Sequence, residues 1–175
     1  NLLTRTFGAA CNPIGITVRR RTMLDAALIA FLLEAAVTTS GYPAIAVDSL
    51  PPIRAVTRNA IAKEICPKQP EECLGMVAVF DTDRYRILYS DELDAENAAD
   101  NSFLIHELVH VLQFKANGEK IFATCEAAMK TETEAYRAQN KYLKKEGQFL
   151  RFGETLAFTT CSGAQNTFFT PEMFK

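Results

Sequence analysis

From Phe103 to Phe114 the chain reads Phe-Leu-Ile-His-Glu-Leu-Val-His-Val-Leu-Gln-Phe, and most positions are apolar. Projected at about 100° per residue, His106, His110 and Gln113 fall in one narrow stripe with Glu107 at its margin. The rest of the circumference is hydrophobic, which predicts a helix buried nearly all round. Asn117-Gly118 reads as its stop, since glycine is favoured just beyond a helix C-terminus. A second helix is predicted over Cys125 to Leu143, a stretch rich in helix formers. On it Cys125, Ala128, Met129, Glu132, Ala135, Tyr136, Gln139 and Leu143 share one largely apolar face, which should pack inward. Glu134 projects to the opposite side with Lys130, Arg137 and Lys141, and Glu126 also falls toward that solvated face.

The first half of the chain gives weaker patterns. Residues 1–20 hold Gly8, Pro13 and Gly15 without a period and read as loop. Thr22 to Ser40 reads as a buried helix with Thr22 as N-cap and an apolar side of Leu24, Ala27, Ile29, Phe31, Leu32 and Ala35. Pro43 to Leu50 reads as a strand ended by Pro51-Pro52. Arg54 to Glu64 stays ambiguous between helix and strand. Met76–Phe80 and Arg84–Ser90 form two strands of a hairpin around Asp81-Thr82-Asp83. In the second, Tyr85, Ile87 and Tyr89 alternate with Arg84, Arg86 and Leu88, which predicts one wetter face. After Gly147 the tail is irregular and rich in phenylalanine. The order helix, strands, hairpin, helix, helix is that of an α+β domain, a small sheet backed by helices. With no repeat, low-complexity segment or linker, residues 1–175 read as one domain.

Composition adds limits. The 175 residues, 48% of them hydrophobic, suffice for one globular core. Net charge is −2 with both signs interleaved, and Arg19-Arg20-Arg21 is the one basic cluster, so no nucleic-acid surface is expected. No apolar run approaches the roughly 18 residues of a transmembrane helix. Met23 to Val37 resembles a signal sequence superficially, but Asp25 and Glu34 within it argue against one. None of the five cysteines has C-x-x-C spacing, so a cysteine-based zinc site is not expected. Cys66 and Cys73 bracket a proline-containing loop that one disulfide would close, and a Cys125–Cys161 bridge would pin the tail to the second helix. Cys11 is left over. Such bridges imply an oxidising compartment, secreted or periplasmic, whereas five reduced thiols would imply the cytoplasm.

The chemistry concentrates in His106-Glu107-Leu108-Val109-His110. These are the only two histidines of the chain, and they make H-E-x-x-H. On a helix the imidazoles stand four residues apart on one face, within reach of one metal ion. Buried without such a partner, two histidines and a glutamate would be costly. A catalytic zinc takes three protein ligands and leaves one position for water. No third histidine exists, so the extended metzincin motif is excluded and the third ligand should be a carboxylate. Glu126, Glu132 and Glu134 compete; Glu132 is favoured because it alone sits on the inward face. A buried pair of Glu132 with an arginine is the competing explanation.

H-E-L-V-H, followed 22 residues past the second histidine by Glu132-Thr133-Glu134-Ala135-Tyr136, resembles a small gluzincin-type zinc metallopeptidase. The likeness covers roughly residues 97–145. It departs from the larger gluzincins in carrying Tyr136 where an Asp is common and in leaving the Asp that orients a zinc histidine unassigned. The resemblance implies a minimal zincin-like core, a small mixed sheet with a hairpin packed against the motif helix and a second ligand helix. It further implies an edge strand that binds extended peptide by backbone pairing, with residues 84–90 as the candidate. On this reading one Zn²⁺ per chain is held by His106, His110 and Glu132, and Glu107 is the general base of peptide hydrolysis. Tyr136, one turn past Glu132, either supports the oxyanion or is a packed aromatic. Gln113 either braces a ligand or substrate or simply packs. A monomer acting on a peptide or protein substrate is expected. Two rival readings remain: a non-catalytic zinc-stabilised binding module, and an intracellular protease-like regulator or toxin cutting one partner. The intact Glu107 weighs against the first, since a structural site needs no base; cysteine oxidation state separates the second. Iron in a facial triad is also compatible with the ligand set, though the helical spacing favours zinc.

Overall fold

A computed structural model describes residues 24–161. Helix α1 (Ala26–Ser40) begins where the Asp25 side chain accepts the Leu28 N–H at 2.7 Å, so Asp25 is the N-cap rather than Thr22, which lies outside the described residues. It ends at Gly41, whose φ of +83° lets its N–H close back onto the Val37 carbonyl. The inward stripe is Leu32, Leu33, Ala36 and Thr39, and Phe31, expected inside, is half exposed.

Residues 43–50 do not form the expected strand. They hold a 3₁₀ turn, Val47–Ser49, in which Ser49 and Leu50 donate to Ala46 and Val47. These local bonds satisfy the backbone where no neighbouring strand is offered. The ambiguous stretch after it divides in two. Strand β1 is Ile53–Val56, and helix α2 is Arg58–Ile65, separated by Thr57, whose hydroxyl accepts the Ala60 N–H. The Cys66–Cys73 disulfide closes the loop that follows.

Strands β2 (Ala78–Asp81) and β3 (Arg86–Ser90) pair antiparallel as the hairpin pattern predicts, with Ala78 opposite Tyr89 and Asp81 opposite Arg86. β1 pairs parallel to β3, Ile53 opposite Ile87 and Val56 opposite Ser90, so the sheet order is β1-β3-β2. β3 is therefore the centre of the sheet, not its edge, and it has no wetter face. Ile87 and Tyr89 join the main core, and Leu88 is equally buried on a strand that α2 covers. The described strand lying against the motif helix at an edge is β2.

Helix α3 (Ala98–Asn117) is capped by Asn97 and stops at Gly118. It packs on α1, on α4 (Cys125–Lys145) and on β2, and its residues 101, 102 and 104–113 are all buried. The core is thus α3 enclosed by Leu32, Leu33 and Ala36 of α1, Phe80, Ile87 and Tyr89 of the sheet, and Ala135, Ala138 and Tyr142 of α4. Burying a helix on every side fixes the direction of each of its side chains. The segment after α4 runs back along it as a strap. Asn140 holds both backbone groups of Phe152 at 2.9 Å, Phe152 packs edge-on against Phe103, and a Cys125–Cys161 disulfide anchors its end. Both cysteine pairings expected from spacing are present, and Cys11 lies outside the described residues.

Candidate metal centre

α3 and α4 face each other across the H-E-x-x-H segment. His106 and His110 are one turn apart on α3, and their Nε2 atoms lie 3.0 Å apart. Glu132 of α4 reaches both: Oε2 is 3.2 Å from His106 Nε2, and Oε1 is 3.2 Å from His110 Nε2. Donor atoms around a tetrahedral ion with bonds of 2.0–2.1 Å stand about 3.3 Å from one another. The three side chains form a group able to hold a metal ion. Glu132, the carboxylate that the face argument favours, is thus the one brought beside both histidines.

The outer hydrogen bonds say which nitrogens are bare. The single proton of Ser102 goes to the Ala99 carbonyl at 2.6 Å, so Ser102 Oγ accepts from the Gln139 amide nitrogen at 3.0 Å. That turns Gln139 Oε1 to His106 Nδ1 at 3.1 Å, and Nδ1 must carry the hydrogen. On the other side the Gln113 amide nitrogen donates to the Thr131 carbonyl at 3.0 Å and to Glu134 Oε2 at 3.2 Å. Gln113 Oε1 then accepts from His110 Nδ1 at 2.8 Å. In their neutral forms both histidines present an Nε2 lone pair to the same point, and a carboxylate joins them. Three converging electron pairs in a buried site require a cation, a proton or a metal. This is the property of the donor set that fits a metal ion.

The electrostatics carry the same signature. Burial alone would lower the His110 pKa, but the charge and hydrogen bond of Glu132 override it and push it up to about 9. Burial would raise Glu132, yet the charge of His110 and hydrogen bonds from both histidines hold it well below the usual carboxylate range. Each group thus favours positive charge between the histidines and Glu132.

Glu107 is buried beside this group. Its Oε2 accepts the Phe80 N–H of β2 at 2.7 Å, which ties the carboxylate to the sheet edge. Burial raises its pKa, and the Glu132 charge adds to that against the opposing pull of the histidines and of the Phe80 N–H. The Tyr136 ring stands 4.4 Å from that of His106 in an edge contact, and its hydroxyl pKa is pushed up to about 12 by burial and by the Glu132 and Glu107 charges. Phe122 closes on His110 at 5.4 Å. Behind Tyr136 sits Gly153 of the strap, with φ +77°; a Cβ there would fall 2.6 Å from Tyr136 Cδ2.

Two residues depart from expectation. Glu134 is not on a free solvated face: it is partly buried and accepts from Tyr42 Oη at 2.7 Å as well as from Gln113. Tyr42 comes from the turn after α1, which no periodicity on α4 could reveal. Gln139 sits on the predicted inward face, two turns past Glu132, where a polar residue among apolar ones is the available signal of a role; Ser102 gives no such signal. The Phe80 N–H is a backbone group and leaves no trace in residue type.

Comparison with known proteins adds a family but no activity. No curated protein and no solved structure matches the chain. Among the described residues no helix is long and apolar enough to cross a membrane. One family, described as a domain of unknown function (DUF6647), matches residues 25–165, a span that contains every side chain of the centre. The chain belongs to the DUF6647 family.

Proposed function

We propose that this protein is a zinc-dependent peptidase of the gluzincin type, with His106, His110 and Glu132 as ligands of one Zn²⁺ and Glu107 as general base. The observation that carries the reading is the convergence of two bare Nε2 atoms and one carboxylate, beside a second buried carboxylate that is not part of the trio. A purely structural zinc has no use for that second group. Zinc in this position supplies a Lewis acid that activates water and polarises a carbonyl at neutral pH.

The residues of the chain do the rest. Glu107 takes a proton from the attacking water onto its carboxylate and returns it to the departing amine, and burial raises its pKa, which favours holding that proton between the two steps. The Phe80 N–H keeps that carboxylate turned toward β2. Tyr136 stays protonated across the working range, since its pKa is pushed up to about 12, and its hydroxyl donates to the developing oxyanion. An extended substrate pairs with β2 rather than with residues 84–90, because β3 is already paired on both sides. The two disulfides fit a secreted or periplasmic setting.

Metal content by plasma mass spectrometry tests the ligand set. About one zinc per chain is expected in the wild type and after Glu134→Ala, with loss after Glu132→Ala; retention in Glu132→Ala would reassign the third ligand. A peptide-library cleavage assay on zinc-loaded Glu107→Ala should show no turnover. Zinc binding without any cleavage by the wild type would return the protein to the class of zinc-stabilised binding modules.

A further inference from the structure

Metal-bound histidines usually pass their second N–H to a carboxylate, a backbone carbonyl or water. Here neither does. We propose that Gln113 and Gln139 are the positioning residues of the metal centre, two buried carboxamides that cross-brace α3 and α4 and hold both imidazoles with Nε2 bare. The inference rests on the metal reading above.

The bracing is reciprocal. Gln113 belongs to α3, three residues past His110, and its amide nitrogen is anchored on α4 at the Thr131 carbonyl and Glu134. Gln139 belongs to α4, seven residues past Glu132, and its amide nitrogen is anchored on α3 at Ser102, one turn before His106. Each glutamine therefore orients a ligand of α3 while tying it to the helix that carries Glu132. Both side chains are about 1% exposed, so water does not compete for these bonds. Neither amide can flip. A reversed Gln113 would aim its oxygen at the Thr131 carbonyl and Glu134, and a reversed Gln139 would leave Ser102 without its donor.

Charge explains why carboxamides stand where carboxylates are common. The centre already holds two acids, the buried Glu107 and the partly buried Glu132. Two more behind the histidines would place four acids around a site that must fold before it takes up metal. Glutamine supplies the same acceptor oxygen without charge. On the His110 side a carboxylate does stand one bond further out, at Glu134, where the Tyr42 hydroxyl also meets it. That chain of contacts, Tyr42 to Glu134 to Gln113 to His110, supplies acidic support from a glutamate.

The test is zinc affinity by competition with a chromophoric chelator, zinc alone being the probe, with melting of the EDTA-treated protein measured beside it. Gln113→Met and Gln139→Met keep the shape and lose the acceptor. Each should weaken zinc binding about 10- to 100-fold. Gln139→Glu restores an acceptor and should bind zinc at least as tightly as the wild type while melting lower without metal. A purely structural role would not produce those opposite signs. Ser102→Ala and Glu134→Gln, milder changes one bond further out, should each weaken zinc several-fold and serve if the methionine variants do not fold. Wild-type affinity in the methionine variants, or in both milder ones, would overturn the role of the glutamines and leave the metal site standing. A wild type that binds no zinc would overturn both.

Discussion

Replacing Gly153 by alanine tests whether the strap seats Tyr136 against His106. Two costs add at this position. A φ of +77° is left-handed, and an L-residue there loses about 1–2 kcal/mol. The new methyl would also lie 2.6 Å from Tyr136 Cδ2 and 2.7 Å from its Cβ, inside any real contact. Overpacking of that kind costs about 1–3 kcal/mol. Gly41 supplies the control. Its φ is +83°, but nothing lies within 4 Å of a Cβ placed there, so Gly41→Ala carries the first cost alone. The difference between the two variants isolates the collision, about 1–3 kcal/mol, or roughly 3–10 °C in melting temperature for a body of this size. Thermal melts of both variants read that difference. Near-ultraviolet circular dichroism, which in a chain without tryptophan reports chiefly the tyrosines and phenylalanines, should change in Gly153→Ala and stay constant in Gly41→Ala. Equal losses in both variants would refute the seating of the strap on Tyr136, and with it the positioning of that ring beside His106.

Stability of the EDTA-treated protein should depend on pH in a defined sense. The His110 pKa rises from about 6.5 to about 9, so its contribution is complete below pH 6.5 and fades as pH climbs through 9. Glu132, held low, contributes above its ordinary pKa of 4.5 and loses that contribution as pH falls below it. Glu107, raised by burial, also contributes most at low pH and loses that contribution as pH climbs. The metal-free melting temperature should therefore fall as pH climbs from about 6.5 through 9, and the rise caused by added zinc should be larger at pH 8.5 than at pH 6, where proton competition is stronger. An equal rise at both values, by scanning fluorimetry, would contradict that competition. The two disulfides should differ in worth. Their sequence separations are 36 and 7 residues; loop-closure entropy gives about 4 kcal/mol for Cys125–Cys161 and about 2 kcal/mol for Cys66–Cys73. Urea unfolding of the corresponding double-alanine variants checks the order, and a greater loss from the shorter loop would contradict it.

What the sequence disclosed follows from how local each signal was. H-E-x-x-H on a helix and the Gly118 stop are properties of a single helix and stand as read. The face bearing Glu132 turns inward only in part: Ala128, Ala135, Gln139 and Leu143 are buried, Cys125, Met129, Glu132 and Tyr136 are half-buried, and Thr131, Ala138 and Tyr142 complete the buried side. The hairpin of β2 and β3 was equally local. Errors arose where the deciding partner lay far along the chain. β3 looked half-wet because nothing in residues 84–90 announces that β1, some thirty residues earlier, will pair with it in parallel and α2 will cover it. Glu134 looked solvated because Tyr42, from another helix's turn, supplies its partner. Residues 43–50 had strand-like composition but no strand to receive them. In the centre itself the inner residues were legible from their types, whereas their supports (Gln139, Ser102 and the Phe80 N–H) became visible only once two helices and a sheet edge were brought together.

The all-round burial of α3 has a consequence for how metal would enter and leave. In small zinc modules the ligands are scattered until the ion gathers them, so binding and folding are one event. Here His106 and His110 ride on a helix whose every turn from Leu104 to Gln113 is enclosed. The side chains that could hold a metal ion are thus positioned by the hydrophobic core itself. Chelation should therefore leave a native-like apoprotein that reloads by simple second-order association, with no refolding lag. The lifetime of the bound ion would be set by thermodynamic affinity and by excursions of α4, which carries the one ligand outside that helix.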